Sequence, residues 1–197
     1  MNAALQGKNE LVQTLINCGA NVNKANSFTG NTPLIMATKK NFTKIAQLLI
    51  ENGANINLAN KNDGTTALIK ALDTENFDFA HFLIKNGADI NKANKKGETP
   101  LMYAAGKNLD ITRLLIEKGA HLDDTDFYLG FTPLMIATVA NKPHIVTLLL
   151  DYGANRMITN KEGKIAIQLT NTTINRWMTL SRPEIAHILR TYFPSIN

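Results

Sequence analysis

Four histidines (His81, His121, His144 and His187) and one cysteine (Cys18) are the side chains here with the widest chemical range. They could ligate a metal, move protons or attack an electrophile. The histidines are far apart in sequence, and no two share metal-ligand spacing with a cysteine or a carboxylate. Cys18 sits beside Gly19, where a residue packs at a helix end. No G-x-x-x-x-G-K-[ST], G-x-G-x-x-G or G-x-S-x-G occurs. The expectation is a chain with no catalytic residue, no metal and no cofactor.

The stretch Gly30 to Asn57 shows what the chain builds instead. Thr32 can cap a helix whose first residue is Pro33, where a missing N–H costs nothing. Leu34, Ala37 and Thr38 then share one face at i, i+3, i+4 spacing. After the polar break Lys39-Lys40-Asn41, residues Ile45, Leu48 and Leu49 mark a second helix running to about Asn52, and Gly53 supplies the left-handed residue that ends it. Helices this short are marginal alone in water, so the unit must bury its apolar face against a similar one.

Copies follow. Gly-Ala recurs at Gly19, Gly53, Gly87, Gly119 and Gly153, at intervals of 34, 34, 32 and 34 residues. The opening turn recurs as Thr32-Pro33-Leu34, Thr66-Ala67-Leu68, Thr99-Pro100-Leu101 and Thr132-Pro133-Leu134, each with a glycine two residues earlier. This G-x-T-P-L…G-A-N grammar resembles the ankyrin repeat, over nearly the whole chain and in both halves of the motif. The resemblance implies an all-α solenoid of stacked helix-turn-helix units with short β-hairpin loops, working as a protein-binding module. One departure is systematic: the family's histidine after T-P-L is Ile35, Ile69, Met102 and Met135, which implies apolar packing there.

The chain reads as one repeat domain over 1–197. It has a partial first repeat (1–25), repeats at 26–59, 60–93, 94–125 and 126–159, and an atypical capping repeat at 160–197. The first lacks its T-P-L half, which suggests a modified cap or a fragment of a longer protein. In the third, Phe79, Phe82 and Leu83 line the second helix. The fourth lacks one residue between Ala104 and Ile111, so a tighter inter-helix loop is expected. In the last, Ile174, Trp177 and Met178 fall at helical spacing within an insert, and Trp177 is read as a lid on the core. Ser181 and Glu184 form a capping-box pattern before the final helix.

Composition fits. Hydrophobic content of 44% with 7% aromatic suits cores of Leu, Ile and Ala. A single cysteine suits a reducing compartment, and no run of 18 apolar residues exists. The abundance of Asn and Lys reads as the coding bias of an AT-rich genome, such as that of an intracellular bacterium or a protist. We expect a cytoplasmic monomer, or one delivered into a host cytoplasm if the source is an intracellular bacterium. Sequon matches at Asn41 and Asn171 read as chance.

Partner-binding residues are sought in the inter-repeat fingers, which in the resembled family form the binding face with the first helices. Most are polar, as in Asn60-Lys61-Asn62-Asp63, but Asp126-Phe127-Tyr128-Leu129-Gly130-Phe131 places four large apolar residues in a loop that should face water. Phe28 is a smaller echo. The proposed binding set is Phe28, Lys95, Lys96, Tyr103, Phe127, Tyr128, Leu129 and Phe131. The competing reading is that these aromatics fold back over a neighbouring finger. Nucleic acid is disfavoured, because Asp63, Asp73, Glu75 and Glu98 interleave with the lysines and arginine is scarce. The resemblance also raises hydroxylation of Asn23, Asn57 or Asn91 by a host oxygenase, against their ordinary role in the inter-repeat turn. A further alternative makes the chain the targeting arm of a larger enzyme or secreted effector.

Overall fold

In the computed structural model, residues 2–175 and 178–192 are described, with the side chains of Asn2, Leu5 and 172–180 set aside. The chain falls into two compact units, Met1–Lys95 and Lys96–Asn197.

The first unit pairs short helices: α1 (Asn2–Leu5) with α2 (Asn9–Asn17), α3 (Pro33–Lys39) with α4 (Thr43–Glu51), and α5 (Ala67–Asp73) with α6 (Phe77–Lys85). Local chemistry fixes where each begins. The Thr32 and Thr66 hydroxyls each accept the N–H of the residue three further on, Ile35 and Ile69, at 3.2 Å. Each pair ends on a left-handed glycine; Gly53 has φ +84°, and its N–H and that of Ala54 return to the carbonyls of Ile50 and Leu49. First helices stack on first helices (α1 on α3, α3 on α5), and α2 packs on α4.

The second unit repeats the plan with α7 (Pro100–Ala105) and α8 (Leu109–Glu117), then α9 (Pro133–Val139) and α10 (Pro143–Asp151). Thr99 and Thr132 cap as before. Ile35, Ile69, Met102 and Met135 are all buried, as the loss of the family histidine implied. The shortened repeat differs from expectation. Its inter-helix connection, 106–108, is as long as its counterpart 40–42, and the missing residue comes out of α7, which has 6 residues where α3 has 7. What the connection loses is the left-handed residue found at Asn41, Glu75 and Asn141; Gly106 sits at φ −80°.

The last repeat departs most. A single 3₁₀ turn (Ala166–Leu169) replaces its first helix. The insert is a two-stranded antiparallel hairpin, β1 (Asn171–Asn175) against β2 (Met178–Ser181), with Asn171 opposite Ser181. The helical spacing of Ile174 and Met178 is therefore corrected: β-branched Thr172, Thr173 and Ile174 in succession favour a strand. Trp177, read as a lid, lies outside the described residues. Helix α11 (Pro183–Thr191) starts with Arg182 as N-cap and Pro183 at its first position, so the Ser181/Glu184 capping box does not form. Arg182 is buried and donates to the carbonyls of Leu169 (3.2 Å) and Val139 (2.8 Å). It thereby donates to carbonyls at the ends of the 3₁₀ turn and of α9, where the helices' own bonding runs out.

Candidate functional site

The fingers that join repeats are tight turns without a strand ladder, each organised by an Asn or Asp at its start. Asn60 is buried; its Oδ1 accepts the N–H groups of Asn62 and Asp63, and its Nδ2 donates to the Thr29 carbonyl and to Asn31 of the preceding finger. Asp126 holds its finger with a carboxylate that only accepts. Its Oδ1 accepts from the N–H groups of Tyr128 (2.7 Å) and Leu129 (2.8 Å), and its Oδ2 from Phe131 (2.7 Å). The remaining N–H groups of 126–131 are also satisfied: Asp126 by Phe131, Gly130 by Asp126, and Phe127 by the Lys96 carbonyl at 2.7 Å. From the far side, the Lys161 N–H donates to Leu129 and its ammonium to the Phe127 carbonyl. The finger is pinned to both neighbours through its backbone.

Its side chains are not pinned in the same way. Tyr128 is 80% exposed, Phe127 66% and Leu129 46%; Phe131 is half-buried. They divide between two sides. Tyr128, Leu129 and Phe131 line a cleft of about 480 Å³, completed by Ile136 of α9 and by Lys96, Glu98 and Asp126. Phe127 lies on the other side, bordering a recess of about 300 Å³ with Thr159 and Lys161. Its ring rests on Gly97, where an added Cβ would meet it at 2.8 Å. One aromatic therefore does lean on the neighbouring finger while remaining largely exposed.

The other residues singled out in the sequence are placed as follows. Tyr103 is half-buried and its hydroxyl donates to Glu98 at 2.7 Å, steadying a carboxylate at the cleft wall. Lys96 is exposed on the cleft rim. Lys95 belongs to the first unit, and its ammonium donates to the Lys61 carbonyl at 2.6 Å. Phe28, also in the first unit, is 90% exposed. Glu98 and Ile136 were not singled out as site residues. Ile136 reads as one more helix residue after Thr-Pro-Leu, and only the packing of α9 below the finger brings it to the cleft. The starting Asn or Asp had a signal, since it recurs at Asn26, Asn60, Asn94, Asp126 and Asn160.

Two of the asparagines considered for modification, Asn23 and Asn57, make side-chain hydrogen bonds to the next repeat. Asn23 accepts the N–H of Asn55 at 2.7 Å and donates to Gly53; Asn57 repeats this with Asp89 and Gly87. Among the described residues no group of histidine, cysteine and carboxylate side chains is arranged to hold a metal ion, and no helix is long and apolar enough to cross a membrane.

Comparison with known proteins agrees with this architecture. A family model described as ankyrin repeats (3 copies) matches residues 1–94 and again 86–160. An ankyrin repeat protein of Rickettsia bellii is 44% identical over 72 residues, 33% of this chain and 20% of that protein. Ankyrin repeat and SAM domain-containing protein 6 of Mus musculus is 42% identical over 74 residues, 37% of this chain and 8% of its own length. Palmitoyltransferase ZDHHC17 of Homo sapiens is 37% identical over 82 residues, 41% of this chain and 13% of its own length. The matched stretch is thus a fifth or less of each of these relatives. With capped helix pairs repeating at the family's period and family models spanning most of residues 1–160, the chain belongs to the ankyrin-repeat family.

Proposed function

We propose that this chain binds a partner protein through the finger 126–131, seating an apolar side chain of the partner in the cleft beside Tyr128 and Phe131. One observation carries the reading: every N–H of the finger is hydrogen-bonded while three large apolar side chains stand in solvent. Burying such a side chain is worth roughly 1.5–3 kcal/mol, a gain that folding forgoes here. A rigid loop also loses little ordering entropy on binding, and aromatic residues with few rotatable bonds dominate interface energetics. Ankyrin repeats in general are protein-interaction modules, which sets the class of partner. Lys96 on the rim would steer association, with Tyr103 holding Glu98 in place behind it. Phe28 and Lys95 form a secondary contact region in the first unit. We place the chain in a cytoplasm, acting as a monomer and without catalysis.

Affinity capture with the wild-type chain, against a Phe127→Ala/Tyr128→Ala control, tests this directly. A partner held by the wild type and lost by the control supports it, and equal capture by both removes the site from the finger. A second reading is favoured by the relatives' greater lengths: the repeats act as the targeting arm of a larger enzyme or effector.

A further inference from the structure

The cleft beside the finger is larger than one apolar side chain fills. At about 480 Å³ it falls in the range of sites that enclose whole ligands, roughly 300–1,000 Å³. Its walls also carry charge. Glu98 and Asp126, both half-buried, line it, whereas the one ammonium in the lining, Lys96, stands exposed at the rim. Water and salt screen the exposed charge more than the half-buried ones, so the interior of the cleft is negative.

The two carboxylates differ in what occupies them. Asp126 accepts three N–H groups of its own finger. Glu98 accepts the Tyr103 hydroxyl at Oε2, 2.7 Å away, which orients the carboxylate without neutralising it. The same cleft carries the rings of Tyr128 and Phe131, whose faces attract cations, and the aliphatic side chains of Leu129 and Ile136. Aromatic faces, aliphatic surface and a carboxylate in one recess match the chemistry of arginine. Its methylenes cover apolar surface while its planar guanidinium stacks on a ring and pairs with a carboxylate. Lysine carries the charge but not the plane.

We propose that the partner segment bound at the finger carries an arginine next to its apolar anchor, with the guanidinium between the Tyr128 ring and the Glu98 carboxylate. This rests on the reading of the finger as the binding site and names the chemistry that the site selects. Glu98 repels an acidic segment, and a run of basic residues would set a second cation against Lys96.

The probe is a phage-displayed library of random short peptides, selected on the full wild-type chain. Peptides that bind wild type and are lost on Tyr128→Ala should be enriched in an arginine adjacent to a large apolar residue. One such peptide is then titrated by anisotropy, with its arginine intact and with citrulline, the uncharged isostere, in its place. Citrulline should weaken binding to wild type roughly tenfold or more. It should make almost no difference against Glu98→Gln, which keeps an oxygen for the Tyr103 hydroxyl but loses the charge. Citrulline changes only the peptide, so the wild-type comparison stands even if a melting curve shows Glu98→Gln to be unfolded. Tyr128-dependent peptides without arginine overturn the inference and leave the finger reading intact. So does citrulline that binds wild type as well as arginine does, or that loses equally against a folded Glu98→Gln. A selection that yields no Tyr128-dependent peptide overturns both.

Discussion

The ring of Phe127 lies on the backbone of Gly97: a methyl group on that glycine would meet Cδ1 of the ring at 2.8 Å. Gly97 also sits at φ +77°, where an L side chain is strained. Gly97→Ala should therefore cost about 1–2 kcal/mol for the backbone alone, plus a share for displacing the ring. A urea-melt cycle separates the two. In the Phe127→Ala background the contact share should vanish and the backbone share persist. An equal cost in both backgrounds would mean that the ring moves aside freely.

Asp126 organises the finger by accepting three N–H groups. Asp126→Ala should destabilise the second unit by about 1–3 kcal/mol and raise amide exchange at Tyr128, Leu129 and Phe131. Asp126→Asn keeps an oxygen for Tyr128 and Leu129 but turns an NH2 toward the Phe131 N–H, so it should cost less than Asp126→Ala and raise exchange mainly at Phe131. Exchange rates unchanged in Asp126→Ala would show that the flanking bonds to Lys96 and Lys161 hold the finger without it.

Leu49 and Leu149 occupy the same buried position in different repeats. Truncation to alanine should cost about 2–5 kcal/mol at each, as for other buried leucines. Denaturant midpoints that do not move would contradict the packing register.

The Tyr192 hydroxyl donates to the Asp151 carboxylate, tying the end of α11 to α10. That hydrogen bond, then partial burial, then the carboxylate's charge hold the phenol above its ordinary value of 10.0. Because the folded state keeps the proton longer than the unfolded chain, the contact contributes fully below pH 10 and is lost as pH rises through the folded value. Tyr192→Phe should be slightly less stable than wild type at neutral pH, with the difference closing in alkaline melts. A constant difference across that range would show that the hydroxyl contributes nothing through Asp151.

The parts of the fold legible in the sequence are those set by local rules. Thr32, Thr66, Thr99 and Thr132 cap because a hydroxyl on an extended residue just before a helix reaches the N–H three residues on, and Gly53 or Gly87 ends a helix because left-handed backbone suits glycine. The insert was not legible on the same terms. Ile174, Trp177 and Met178 fit a helical period, and the period alone hides the competing signal, the β-branched run 172–174 that pairs back on 178–181 as a hairpin. The finger shows the same division. That four apolar residues stand in a loop is plain from 126–131, but the side each one takes depends on the missing Cβ at Gly97 and on Ile136 below.

The central claim is that Tyr128 is exposed for binding and does little for stability. A paired measurement of melting temperature and partner affinity, on wild type and Tyr128→Ala, tests it most directly. At 80% exposure, the side chain should be dispensable to the fold, so the melting temperature should barely change. Affinity should fall by tenfold or more, about 1.4 kcal/mol for each factor of ten. A lowered melting temperature with affinity retained would contradict the account, making the finger a staple between repeats.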